Sequence, residues 1–295
     1  MPSRPHNTAD YLANFHAKLA ATRVLDPACG SGNFLYVALQ KLLDLQKEVI
    51  VFAQTHHDQS LPLTVSPQQL YGIEINPYAH ELAQITAWIG YLQWRAQNGF
   101  EEMDDPVLRP LGNIQRMDAI LAYDADGQPV EPAWPAAEVI IGNPPFLGGN
   151  KMRQELGDKM VDTLFKLSTA VPGFADLVCY WFEKAREQIQ HGHTQRAGLI
   201  STNSIRGGAN REVLRRIKET GDIFMAWADN PWVLDGAAVR VSLVGFDNGS
   251  HPIKRLDGQD VPAIHPDLTA LVTLQLHHPC RKQNLSFLGT LKRCF

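Results

Sequence analysis

Arg23-Val24-Leu25-Asp26-Pro27-Ala28-Cys29-Gly30-Ser31-Gly32-Asn33-Phe34 is the stretch on which the fold turns. The apolar run over 23–29 ends in Pro and Gly and predicts a buried strand. Helical spacing follows from Gly32 to Lys47, with Phe34, Val37, Ala38, Leu42 and Leu45 on one stripe. Two glycines one residue apart let the chain turn tightly and let a ligand approach the backbone. No Lys-Ser or Lys-Thr follows, so this is not a P-loop. Leu35 stands where a dinucleotide fingerprint has its third glycine. Asp26 ends the strand, and a carboxylate there repels a pyrophosphate but suits a cationic ligand. S-adenosylmethionine, with a sulfonium, an ammonium and no phosphate, fits that sign.

Outward from this loop, residues 48–67 are polar, contain Pro and read as an insertion. Residues 70–75 (LYGIEI) predict a second strand. The next helix starts at Pro77, where a missing N–H is harmless, with Leu82, Ile85, Ile89 and Leu92 as its apolar stripe. A weak strand and a turn at Asp118 occupy 111–121, and 122–135 read as loop. Residues 137–146 (AEVIIGNPPF) predict a strand stopped by Pro-Pro. An amphipathic helix is expected from Asp176 to Gln190, a strand over 197–203, a helix from Asn210 to Thr220, and two last strands over 222–228 and 239–246. Repeated β-α units followed by a strand pair predict an open, mainly parallel α/β sheet with helices on both faces. Such sheets bind ligands beyond the carboxyl ends of their strands.

The second strand ends at Glu74-Ile75. An acid there either accepts both ribose hydroxyls of a nucleoside or stands exposed beside a helix N-cap, and the residues alone do not separate the two. Asp118 follows the third strand, where a carboxylate either bonds a nucleoside's adenine amine or is a turn aspartate, and the residue alone favours the turn. The fourth strand runs into Gly142-Asn143-Pro144-Pro145-Phe146. Two prolines remove two N–H donors and leave carbonyls facing a cavity. Acceptors without a base suit methylation of an exocyclic amine. The Asn143 oxygen and the Pro144 carbonyl take its hydrogens and steer the nitrogen lone pair toward the methyl, so catalysis is positioning and electrostatics. Phe146 offers a stacking face for a base swung out of a duplex.

Together the two loops resemble class I S-adenosylmethionine-dependent methyltransferases, Rossmann-like proteins with a mainly parallel seven-stranded sheet. DPACGSGNF and NPPF, in that order, are similar to the gamma-class N6-adenine DNA methyltransferases of bacterial restriction–modification systems. GIEINPYA, the run from Ala175 to Ala185, the run from Ser201 to Arg211, and the stretch from Ala226 to Gly245 resemble the type IIL enzymes. The resemblance covers roughly residues 11–247. It implies S-adenosyl-L-methionine held by Asp26, Pro27, Ala28, Cys29, Gly30, Gly32, Asn33, Phe34, Glu74, Ile75, Asp118 and Asp176. It implies Asn143, Pro144, Pro145 and Phe146 as the catalytic motif and double-stranded DNA as the substrate. Planar amines elsewhere are the rival substrates: N4 of cytosine, guanine N2 of RNA, or a protein glutamine. A non-catalytic cofactor-binding module is the other alternative.

The domain reading is a helical remnant over 1–22, a catalytic domain over 23–250 and an extension over 251–295 that begins a missing recognition region. No lysine has an acid two positions before it, so the family's nuclease is not expected here. Target-recognition and nuclease regions are expected in the parent protein or neighbouring chains, and the isolated chain is expected to bind cofactor weakly and methylate little. The 295 residues are 44% hydrophobic, which excludes global disorder, and no run approaches the ~18 apolar residues of a membrane span. No apolar leader is seen, and four scattered cysteines without a CxxC read as a reducing cytoplasm with no metal site. Net charge is -4, yet residues 201–295 carry 12 basic and 9 acidic groups, so a polyanion is expected to meet that third. Arg206 in its Gly-rich loop is assigned to phosphate contact with Arg211 beside it. Arg215, Arg216 and Lys218 read as a solvated helix face.

Overall fold

The computed structural model describes residues 8–100, 111–234 and 237–270. In chain order the elements are α1 (Thr8–Ala21), β1 (Val24–Asp26), α2 (Asn33–His57), β2 (Leu70–Glu74), α3 (Pro77–Gln97), β3 (Ile114–Arg116), β4 (Ala122–Tyr123), β5 (Pro129–Val130) and β6 (Val139–Gly142). There follow α4 (Gly149–Leu156), α5 (Asp158–Leu167), α6 (Val178–Gln190), β7 (Arg196–Thr202), α7 (Arg211–Thr220), β8 (Asp222–Leu234), β9 (Ala237–Asp247), β10 (Lys254–Leu256) and β11 (Gln259–Val261). No described helix is long and apolar enough to cross a membrane.

The main sheet has the order β11-β10-β8-β9-β7-β6-β1-β2-β3. The β1–β2, β2–β3, β1–β6 and β6–β7 pairs are parallel, and β9 runs antiparallel between β7 and β8. The seven expected strands are therefore present, and β10 and β11 lengthen the sheet to nine. Residues 122–135, expected as plain loop, hold the small β4–β5 hairpin. Sequence order reverses between β1 and β6, so the loops after these neighbours diverge to opposite faces and leave a crevice. Alternation along the strands fills two cores. Leu25, Ile73 and Ile140 pack toward α4–α7, while Val24, Leu70 and Ile141 pack toward α1–α3.

Three expectations are corrected. Residues 48–57 are no insertion, because α2 runs on to His57. Leu42, Gln46, Val49 and Ala53 keep the four-three spacing that buries one face, and only 58–66 are irregular. The apolar stripe named for α3 is not its buried face. Ile85 and Ile89 are 47% and 45% exposed, and the helix buries Ala83, Ala87, Gly90, Tyr91 and Trp94 instead. Close approach to α2 selects small residues there, since a Cβ on Gly90 would lie 2.3 Å from the Tyr36 ring. The helix expected from Asp176 starts at Val178 and is not amphipathic at first, for residues 178–186 are all buried. Its charges survive by pairing. Glu183 takes 2.7 Å and 2.8 Å hydrogen bonds from Arg186 and Arg216, and Lys184 reaches the Pro132 carbonyl beneath the Trp134 ring. Burial alone would raise the Glu183 carboxyl, but the bonds from Arg216 and Arg186 outweigh it and hold it low.

Candidate active site

The β1 loop is shaped by its glycines. Gly30 and Gly32 sit at φ 54° and 86°, and the Gly32 N–H closes the turn on the Cys29 carbonyl at 2.8 Å. A Cβ on Gly32 would stand 2.9 Å from the Ala83 backbone, so this glycine also lets α3 approach. Glu74 holds the turn from the next strand. Its Oε2 accepts the Gly30 N–H at 2.9 Å and its Oε1 the Asn76 N–H at 2.7 Å. That tie between two loops was not visible in the sequence. Each oxygen keeps a further lone pair for a ligand hydroxyl.

Asp26 is 1% exposed, and its Oδ1 accepts the Ala28 N–H at 3.1 Å. Burial drives its carboxyl up to about 7 against the pull of that N–H, and the charge of Glu74 adds to the rise. On the adjacent strand, a Cβ at Gly142 would meet Asp26 Oδ1 at 2.9 Å. Glycine is thus required there for the first loop and the Asn143 motif to lie side by side. The Asn143 Oδ1 is buried and has no hydrogen-bond partner among the described residues. An orphaned acceptor of this kind is expensive unless a ligand satisfies it.

A cavity of about 360 Å³ opens at these strand ends. Pro27 and Ala28 from the first loop, Glu74 and Ile75 from the second, Asp118 from the third, and Asn143 and Pro145 from the fourth line it. Leu177, just ahead of α6, and Trp181 within it form an apolar wall, and the Trp181 indole N–H fixes the Pro27 carbonyl at 3.0 Å. Asp118 is held in place by accepting the amides of Ile120 and Leu121 on Oδ1. The lining carries two carboxylates, one carboxamide and no basic side chain. That donor and acceptor set fits a cationic nucleoside and does not fit a pyrophosphate.

Other assigned residues lie elsewhere. Cys29, Gly30 and Gly32 build the turn without lining this cavity. Asn33 and Phe34 line a separate apolar groove of about 280 Å³ along Ile141 and Ile200. Pro144 is buried, and Phe146 packs against Ile200, Val241 and Leu243. Asp176 does not line the cavity either. Its Oδ1 accepts the Gly149 N–H at 3.0 Å, and its Oδ2 accepts Ser204 Oγ at 2.6 Å and Asn210 Nδ2 at 2.8 Å. Sequence reasoning missed Ser204 and Asn210, whose part depends on loops that meet only in the fold. Arg206 Nε donates to the Asp267 carbonyl at 3.0 Å, while Arg211 begins α7 and is half-buried. Arg215, Arg216 and Lys218 pair with Glu212, Glu183 and Asp222. The basic residues after 270 lie outside the described residues.

Comparisons with known proteins agree with this geometry. DNA methyltransferase A of Bacillus subtilis (strain 168) is 29% identical over 244 residues, which cover 80% of this chain and 27% of that protein. A putative type II restriction enzyme and methyltransferase of Methanocaldococcus jannaschii is 34% identical over 83 residues, 28% of this chain and 7% of its own. Among solved structures, the type IIL restriction–modification enzyme MmeI in complex with DNA superposes with a TM-score of 0.73 at 25% identity. That alignment covers 91% of this chain and 38% of MmeI. The DrdV–DNA complex shares the fold, with a TM-score of 0.51 at 16% identity over 86% of this chain and 26% of that one. The chain therefore spans well under half the length of these relatives. The model of the family described as the DNA-methyltransferase domain of MmeI matches residues 3–256, and the chain belongs to that family.

Proposed function

We propose that this chain methylates N6 of an adenine extruded from double-stranded DNA, with S-adenosylmethionine as the donor. The observation that carries the reading is the buried, unpartnered Asn143 Oδ1 beside a cavity lined by Glu74 and Asp118. When bound, the cofactor supplies an electrophilic methyl group on a sulfonium. Glu74 accepts ribose hydroxyls, Asp118 accepts an adenine amine, and Pro27 with Ala28 lies along the ligand beside the Asp26 carboxyl. The Asn143 oxygen and the Pro144 carbonyl accept the two hydrogens of the target amine. They bias its nitrogen toward tetrahedral geometry with the lone pair aimed at the methyl. The amine would attack through its own lone pair and shed one N–H proton to solvent only after it has gained the methyl, so Asn143 and Pro144 need accept hydrogen bonds and no side chain need act as a base ahead of transfer. In this reading the catalytic unit is residues 23–250, flanked by 1–22 and 251–295, and a DNA substrate is best met in the cytoplasm.

The test is methyl transfer to duplex DNA, structured RNA and a glutamine peptide, with the modified base identified by mass spectrometry. N6-methyladenine in DNA is expected. Asn143→Ala should lower turnover by about two to three orders of magnitude while S-adenosylhomocysteine still binds. N4-methylcytosine as the product, or full activity of the alanine variant, would refute the reading.

A further inference from the structure

Phe174 is the most exposed large apolar side chain among the described residues, at 78%. It also holds a φ of 69°, in the left-handed region that bulky residues rarely adopt. Its neighbours Val171 and Ala175 are buried, so the ring alone projects. The segment is not loose. The Ala175 N–H closes a turn on the Pro172 carbonyl at 3.1 Å, and the Leu177 N–H donates to the Leu147 carbonyl at 2.8 Å. Asp176, next but one, is clamped by Gly149, Ser204 and Asn210, and its own N–H donates to Asn210 Oδ1 at 2.7 Å. The Phe174 carbonyl lies so close to Gly149 that a Cβ there would approach it to 2.1 Å. Gly149 is three residues beyond Phe146, and Leu177 shares the cavity with Asn143. A bare ring is thus carried, three residues before Leu177 in the wall of the proposed methyl-transfer pocket, on a loop that packs on Gly149. A turn alone would be better served by glycine at this positive φ. Backbone strain that surrounding contacts enforce points to a use for the side chain.

We propose that Phe174 stacks on a nucleobase of the bound DNA beside the extruded adenine. The inference rests on the DNA reading above. It gives the Asp176–Ser204–Asn210 cluster a positioning role, that of holding the ring's loop against the Asn143 strand. Stacking is indifferent to base identity, because every base has a π face, so this contact supports extrusion without choosing the site.

The test uses the full chain and a short fluorescein-labelled duplex with one adenine opposite an abasic site, beside the fully paired duplex. Binding is read by anisotropy over a salt series. Phe174→Ala and Phe174→Gly should weaken the Kd for the abasic duplex by about tenfold with an unchanged salt slope, since stacking releases no counterions. Phe174→Tyr should bind within about twofold of the original chain, as another flat ring supplies the same face. Phe174→Gly should also melt higher, because it relieves the positive φ, so its loss of binding cannot be ascribed to unfolding. S-adenosylhomocysteine binding should be the same in all four proteins. If Phe174→Ala binds the abasic duplex as the original chain does, the inference fails and the DNA reading stands. If the original chain binds neither duplex but binds S-adenosylhomocysteine, both fall together.

Discussion

Asp26 is sealed at the end of β1 with Glu74 nearby, and no basic side chain lines the cavity in front of it. Its carboxyl is raised from 3.8 to about 7. A carboxyl raised in the folded state favours folding at low pH. That contribution is complete below about pH 4 and is lost as pH climbs through about 7. Asp26→Asn keeps an acceptor for the Ala28 N–H and removes the charge. The variant should therefore melt hotter than the original chain at pH 8, by on the order of a few kcal/mol of stability, with the gap closing near pH 4. It should also bind S-adenosylhomocysteine more weakly, because the ligand's ammonium loses an anionic neighbour. An equal melting difference at both pH values would disprove the buried-charge account. That Asp26, Glu74 and Asn143 stand at strand ends was legible in the sequence because strand ends and glycine turns are local features. Their partners were not. The Gly30 N–H meets Glu74 across 44 residues, and Trp181 meets Pro27 across 154. The contacts of Asp176 were hidden for the same reason, since Ser204 and Asn210 reach it only when β7 brings their loop alongside.

Among the elements, α3 shows how a hydrophobic stripe misleads. Ile85 and Ile89 are the larger residues, but the interface with α2 is set by how closely two backbones can come. Gly90 lies against the Cδ2–Cε2 edge of the Tyr36 ring, and Ala83 against the Gly32 turn that shapes the first loop. In an open helix Gly→Ala gains about 1 kcal/mol of helix propensity. Gly90→Ala should instead destabilise by about 1–3 kcal/mol, because the new methyl overlaps Tyr36. The same change made in a Tyr36→Ala background should be neutral or stabilising, and a double-mutant cycle from denaturant unfolding reads the coupling. No coupling would mean that the helices adjust at no cost. The β-α alternation was readable because each unit carries its own period. The run of α2 to His57 was masked because its last turns expose Val51 and Phe52 beside polar residues and blur the one-sided spacing, and β10 and β11 are too short to show a pattern.

The whole molecule is organised by the reversal of strand order between β1 and β6. The cavity there is assembled from the ends of four parallel strands and the wall of α6, on the side of the sheet that α4–α7 cover. A ligand in it touches groups that come together only in the folded chain, and its binding energy is added to folding. S-adenosylhomocysteine at about 100 times its Kd should contribute about 2.7 kcal/mol, which for a chain of this size raises the melting temperature by about 5 °C. Asp118→Ala should shrink that rise without lowering the melting point of the free protein by a comparable amount, because the hydrogen bonds Asp118 accepts come from its own turn amides and it sits at the cavity's edge. Phe174→Ala should leave the rise intact, since its ring projects to solvent and does not line the cavity. A calorimetric scan with and without ligand separates the three proteins. A ligand that stabilised the original chain and Asp118→Ala equally would move the nucleoside away from the third strand, and with it the arrangement that aims a methyl group at Asn143.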